Sequence, residues 1–248
     1  MQQVEADQAL LLAFDTSQGA LSVALTRGRR VLASHFELLS KGHAERLLPC
    51  IDGVLDDAGV ACAELTALAV TIGPGTFTGI RAGMAAARGL ALPHRLTTIG
   101  VTSLEAVAAT APSGPHPLLV SFDARRGEAY WQLFAGNDEV GGRAAQGEPA
   151  LDALEHIVEM AKQKGISSMA LAGTGAALLH PLLAQAGMGV VSGEDEDCLQ
   201  PSAVGVALAA QRKWARIGLA AFAQPPSPLY IRAPDAKLPG GLDLPATV

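Results

Sequence analysis

The stretch ALLLAFDTSQGALSVALTRGRRVLASHFEL, residues 9–38, decides the fold. Ala9 to Phe14 is an unbroken apolar run of strand length, and Asp15-Thr16-Ser17-Gln18-Gly19 is a polar turn after it. Leu21 to Thr26 then alternates apolar and polar side chains, as a half-buried strand does. The Arg27-Gly28-Arg29-Arg30 turn leads into a third strand, Val31 to Leu38. Three strands joined by two tight turns make an antiparallel meander. A doubly wound dinucleotide fold opens on strand, helix, strand instead, so this beginning excludes it.

Working outward, residues 40–43 open a helix that runs to about Ala58, with Gly59 as its stop. Leu47, Ile51, Val54, Leu55 and Ala58 recur at helical spacing and form one apolar stripe. Leu65 to Ile72 is a strand of small and branched residues. The tight turn Gly73-Pro74-Gly75-Thr76-Phe77-Thr78-Gly79 follows it and feeds a helix from Ile80 to about Leu92, closed by Pro93. The first hundred residues read βββαβα. A second block starts near Val101, with a helix over 102–110 and a Pro-rich break at 112–117. A hairpin follows, formed by 118–122, the turn 123–127 and 128–134. The Gly-rich stretch 136–147 is expected as a loop, followed by helices at 151–164 and 176–187 flanking a strand at 169–172. A last helix spans 201–217, and the tail from Pro225 carries no helix or strand signal. Two βα blocks in the same order predict a duplicated fold, although no residue-level repeat is visible.

Composition narrows the function classes. A hydrophobic fraction of 49% with only 4% aromatics implies cores of Leu, Val and Ala rather than aromatic ligand pockets. The net charge of −6 repels phosphate backbones at long range, so contact with RNA is expected only through a more basic partner. The acidic run Glu194–Asp197 reads as a solvated loop rather than a metal site. Cys50, Cys62 and Cys198 contain no CxxC and are expected as free thiols in a reducing cytosol. The N-terminus has acids where a signal peptide needs positive charge, and no apolar run approaches the ~20 residues that span a bilayer. The expectation is a cytoplasmic protein with no membrane contact.

Three segments carry a family resemblance: LLAFDTS (11–17), GHAERLLP (42–49) and AVTIGPGTFTGIRAG (69–83). GVTSL (100–104), DARRGE (123–128) and PLYIR (228–232) add to it. The βββαβα order with an Asp-Thr turn after the first strand resembles the actin, hexokinase and sugar-kinase superfamily. Within it, the turn formed by Gly73, Pro74, Gly75, Thr76 and Gly79, with Arg81 beyond it, resembles the signature of the TsaB (YeaZ) family.

That resemblance implies an α/β protein of two actin-like (ASKHA, ribonuclease H-like) subdomains, each a mixed sheet with packed helices. The expected division is 1–100, then a degenerate second subdomain over 101–200. A C-terminal helix and segment, 201–232, would pack back on the first, leaving a tail at 233–248. It further implies a non-catalytic scaffold that binds the paralogue TsaD, the transferase, and works with the ATPase TsaE. A homodimer would form when TsaD is absent, and tRNA would be met only through the complex. No cofactor is expected.

The residues agree with a non-catalytic reading. Among six histidines the closest pair, His35 and His43, is eight residues apart across a strand and a turn, and neither HxxxH nor HExxH occurs. No metal site is therefore expected on a helix, and His43 reads as helix capping or interface chemistry. Asp15, Thr16 and Ser17 are the recognisable half of a nucleotide phosphate site, or simply a turn that satisfies backbone donors. The Gly73–Gly79 turn has GxGxxxG spacing, lacks the Lys-Ser/Thr of a P-loop, and reads as a conformational device. Kinase chemistry would need metal placement and a base as well. A peptidase is the other rival, but there is no GxSxG and no suggestive pairing of a Ser or Cys with a nearby His, which leaves only a triad assembled from distant residues. The helix from Ile80 is rich in small residues that allow close approach. With the helix before it, it is expected to carry the partner surface: Leu47, Leu48, Ile51, Ile80, Met84 and Ala87, with Met84 as anchor.

Overall fold

In the computed structural model, which describes residues 8–136, 142–191 and 199–232, the meander is present. β1 (Leu10–Asp15), β2 (Ala20–Arg27) and β3 (Arg30–Leu38) pair antiparallel in sequence. α1 (His43–Ala58) follows, and Gly59 ends it in the left-handed conformation. β4 (Ala67–Gly73) lies parallel to β1, and α2 (Phe77–His94) leads from it to β5 (Thr97–Thr102), parallel to β4. The first sheet has the order β3-β2-β1-β4-β5. α3 (Ser103–Thr110) leaves it behind a capping box in which the Thr102 hydroxyl and the Glu105 carboxylate each satisfy the other residue's backbone N–H.

The second half repeats the plan. β6 (Leu118–Asp123), β7 (Glu128–Phe134) and β8 (Ala150–Ala153) form a second meander, followed by α4 (Leu154–Gln163), β9 (Ser168–Ala172), α5 (Ala176–Gln185), β10 (Gly189–Val190) and α6 (Ala203–Ile217). Its sheet runs β10-β9-β6-β7-β8, so from the third strand to the last both sheets have the same order and the same strand directions. The duplication expected from element order is a duplication of topology.

Several boundaries differ from expectation. β5 was unforeseen because TTIGVT carries three threonines and a central glycine, a weak strand pattern that pairing with β4 overrides. Residues 150–153 form β8 rather than the start of a helix, since β7 offers them an edge to pair with. β10 is only two residues long. α2 begins at Phe77, three residues before Ile80, because the Thr76 side chain caps it by accepting from the Gly79 N–H. Pro93 sits inside its last turn instead of ending it. The acidic run 194–197 and Cys198 lie outside the described residues, as do 137–141 of the Gly-rich stretch.

Side-chain alternation along β1 divides the first core in two. Leu12 and Phe14 face α1, whose Leu47, Ile51 and Val54 cover them, while Leu11 and Ala13 face Val206, Ala210 and Trp214 of α6. The second sheet is buried likewise, with Leu119 and Leu133 against α4 and α5, and Val120 and Phe122 against Leu104 and Val107 of α3. The halves thus exchange helices: α3 of the first covers the second sheet, and α6 of the second covers the first. α3 and α6 cross so closely that a Cβ on Gly205 would sit 2.1 Å from the Ala106 carbonyl oxygen. Polar bonds pin the exchange. Ser22 Oγ accepts from the Ala203 N–H at 2.9 Å, and Lys213 Nζ donates to Glu105 at 2.7 Å.

Candidate functional site

The Asp15–Ser17 turn lies at the end of β1, wholly buried. Asp15 Oδ1 accepts from the Ser17 N–H at 3.1 Å, the Ser17 hydroxyl at 2.6 Å and the Thr71 hydroxyl at 2.6 Å. Its other oxygen has no partner, nor does the buried Nε2 of His43 at the start of α1. Burial raises the carboxyl's pKa above 3.8, only partly opposed by the hydrogen bonds from Ser17 and Thr71 and by the nearby His43. His43 does not cap α1: the N-cap is Gly42, with no side-chain bond.

The signature turn closes over this one. Thr76 N–H donates to the Ser17 carbonyl at 2.8 Å, the Thr16 hydroxyl to the Gly79 carbonyl at 2.7 Å, and Gln18 Nε2 to the Pro74 carbonyl at 3.0 Å. A Cβ on Gly75 would lie 2.2 Å from Ser17 O, and one on Gly79 2.0 Å from Thr16 O. Backbone thus meets backbone, which explains both glycines without a bound phosphate. The Thr16 hydroxyl and the Ser17 carbonyl are thus taken up by the protein's own second turn, while Asp15 is held by Ser17 and Thr71 through one oxygen only.

Three of the resemblance segments converge beside this contact. The C-terminal segment, without strand or helix, crosses from one half to the other: Leu229 N–H donates to the Ile72 carbonyl at 2.7 Å, and Arg232 Nη1 to the Ala124 carbonyl at 2.8 Å. Arg232 also pairs with Glu128 and lies over the Tyr130 ring. On the first half, Arg81 Nε donates to the Tyr230 hydroxyl at 3.0 Å and its guanidinium stacks 3.6 Å over Phe77, whose ring centroid is 5.5 Å from that of Tyr230. Phe77 and Tyr230 stay exposed, at 50% and 43%. Arg125 and Arg126 stand on the 123–128 turn, both at positive φ. The tail's lack of a periodic signal hid this role, since its contacts are long-range.

The expected partner residues divide. Leu47, Ile51, Ile80, Met84 and Ala87 are 1–4% exposed and belong to the chain's own interior, because the stripe that looked available for a partner is what covers the first sheet. Met84 is therefore not a surface anchor. Leu48 is 50% exposed, and Leu92, further along α2, is 81% exposed. Between α2, β5 and the segment after α6 there is an apolar cavity of about 470 Å³ lined by Met84, Ala87, Leu92, Phe222 and Pro226. Sequence distance concealed two further clusters. Ser168 Oγ lies 3.1 Å from His116 Nδ1, and His35, Glu37 and Cys50 bring three metal-type donors together.

Two sheets of one topology, helices exchanged between them, and an Asp-Thr-Ser turn at the end of the first strand define a protein of the actin and sugar-kinase superfold. A hexokinase of the ROK type from Thermus thermophilus shares this fold at a TM-score of 0.50 and 13% identity. A family model described as TsaD, tRNA N6-adenosine threonylcarbamoyltransferase, matches residues 35–236. YeaZ from Pseudomonas aeruginosa superposes at a TM-score of 0.74 with 32% identity, over 90% of this chain and 99% of that one. The chain belongs to the TsaB (YeaZ) family. The Escherichia coli tRNA threonylcarbamoyladenosine biosynthesis protein TsaB is 43% identical over 123 residues, 49% of this chain and 53% of that protein. The chain thus spans about half the length of such curated relatives, whereas an uncharacterized Mycobacterium tuberculosis protein aligns at 32% identity over 92% of this chain and 93% of its own.

Proposed function

We propose that this chain is a non-catalytic subunit in the biosynthesis of threonylcarbamoyladenosine in tRNA. In this reading it binds TsaD and helps recruit TsaE, so that threonylcarbamoyl passes from threonylcarbamoyl-AMP to the adenosine beside the anticodon. It pairs with a second copy of itself when TsaD is absent, meets tRNA only through the complex, uses no cofactor, and resides in the cytoplasm. Among the described residues no helix is long and apolar enough to cross a membrane. The observation that carries the reading is the closed contact between residues 15–17 and the signature turn. Of the groups near a kinase's nucleotide in this superfold, the Thr16 hydroxyl here binds Gly79, the Ser17 carbonyl accepts from Thr76, and one Asp15 oxygen accepts from Thr71. The names of the relatives supply the pathway. Reconstitution tests it. TsaD, TsaE, tRNA and threonylcarbamoyl-AMP should yield modified adenosine only when this chain is added, and this chain without TsaD should yield none. Modified adenosine from this chain alone would refute the proposal.

A second reading, a peptidase, draws on the Ser168–His116 contact. It is the weaker one, since among the described residues no carboxylate pairs with His116 to orient the imidazole. Incubation of unfolded TsaD with the wild type and with Ser168→Ala should leave TsaD intact in both. Cleavage by the wild type that the variant loses would favour this reading instead.

A further inference from the structure

His35 and Glu37 alternate onto the same face of the edge strand β3, and Cys50 faces them from α1. His35 Nε2 is 3.7 Å from Glu37 Oε1, and Cys50 Sγ is 3.9 Å from that same oxygen. All three donor atoms lie within 4.8 Å of one another. The first distance is too long for a hydrogen bond and fits an ion pair only if the imidazole is protonated, so His35 Nε2 is buried with no hydrogen-bond partner. Buried polar atoms are normally satisfied, so an unpaired imidazole nitrogen beside a carboxylate and a thiol asks for a shared ligand. Zinc-bound donors at about 2.0–2.3 Å from the metal stand about 3.3–3.7 Å apart in a tetrahedron. This cluster needs only a small closure to reach that spacing.

We infer that His35, Glu37 and Cys50 form a binding site for a zinc-type divalent cation that clamps the edge strand β3 to α1. Nitrogen, sulfur and carboxylate oxygen suit a borderline-soft ion and not Mg²⁺ or Ca²⁺, which take oxygen alone. Thiolate and carboxylate offset the charge of the dication, and the Arg46 guanidinium paired with Glu37 leaves one net positive charge. Arg46 holds both Glu37 oxygens, with Nη2 on Oε2 at 2.9 Å and Nε on Oε1 at 3.1 Å, so the ion shares Oε1 with the guanidinium or displaces Nε from it. The side chains of His35 and Glu37 are 38% and 25% exposed, although His35 Nε2 itself is shielded from solvent.

The full chain, stripped with chelator and titrated with Co²⁺, tests this. The wild type should bind about one equivalent, with tetrahedral visible bands and a thiolate-to-cobalt charge-transfer band that Zn²⁺ bleaches. Saturating Zn²⁺ should raise the melting temperature by about 5 °C. Cys50→Ser should abolish the charge-transfer band, and His35→Ala should weaken binding at least about tenfold. The double variant Cys62→Ser/Cys198→Ser should keep both. Circular dichroism identifies any variant that fails to fold, and His35→Ala, at a half-exposed position, carries the test if Cys50→Ser does so. No saturable Co²⁺ binding in the folded wild type, or unchanged affinity in His35→Ala, would overturn the site.

Discussion

Asp15 ties the chemistry of one residue to the stability of the whole. Its folded pKa is raised, so the folded chain holds this proton more tightly than the unfolded chain, whose carboxyl titrates near 3.9. Stability should therefore fall as pH rises from about 4 through the raised value, then level off. Asp15→Asn keeps an acceptor oxygen for Ser17 and Thr71 and removes the charge. Its melting temperature should exceed that of the wild type at neutral pH and should lose this part of the pH dependence. Melting curves of both proteins from pH 4 to 9 are the check, and parallel profiles would show that Asp15 is not the titrating group. Gly79 and Gly53 form a second test at this scale, because one substitution should act in opposite directions at the two sites. Gly79→Ala drives a Cβ into the Thr16 carbonyl at 2.0 Å and should cost about 3 kcal/mol. Gly53→Ala, within α1 and with nothing within 4 Å of the added carbon, should gain about 0.5–1 kcal/mol. Urea unfolding measures both.

At the scale of elements, α1 and α2 each present one face to the first sheet and another outward. Met84 is 4% exposed, so Met84→Glu places a charge in a mostly apolar setting and should cost about 3 kcal/mol, lowering the melting temperature by roughly 10 °C, or less where Arg88 of the same cavity pairs with it. Leu48→Glu, on the outward face, should leave the melting temperature within about 2 °C. If α1 meets TsaD, the same variant should fail to co-elute with it in size-exclusion chromatography. Normal co-elution would move the joint away from this face of α1, with Phe77 and Leu92 the next residues to examine. The C-terminal segment acts as an element without regular structure, held at Ile72, Arg81 and Ala124. It bridges the end of β4 and the start of α2 to the 123–128 turn.

Over the whole molecule, the exchange of α3 and α6 makes neither half complete alone. A chain ending at residue 117 would leave Leu11, Ala13, Ala69 and Ile99 without the α6 residues that cover them. Such a fragment should bind a hydrophobic dye and show no cooperative melting, while the full chain should unfold in a single calorimetric transition. Two separate transitions in the full chain, or a cooperatively folded fragment, would show that the halves are independent.

The meander, the first helix and the duplicated element order were legible because each rests on local periodicity: alternation from Leu21 to Thr26, helical spacing from Leu47 to Val54. The signature turn was legible as a motif because its glycines at 73, 75 and 79 mark the passage from the end of a strand into a helix. Periodicity marks which side chains of a helix are buried but does not say against what, and so Leu47, Ile51 and Met84 read equally well as core or as partner surface. Only the packed structure separates these cases, by laying α1 and α2 on β1, β2 and β4. The same limit hid β5 and β8, which exist because a neighbouring edge offers hydrogen bonds. It also hid the C-terminal crossing at Leu229 and Arg232 and the meeting of His35, Glu37 and Cys50. Those contacts join separate elements, 13 residues apart for Glu37 and Cys50 and 108 for Arg232 and Ala124, and only their packing brings them together.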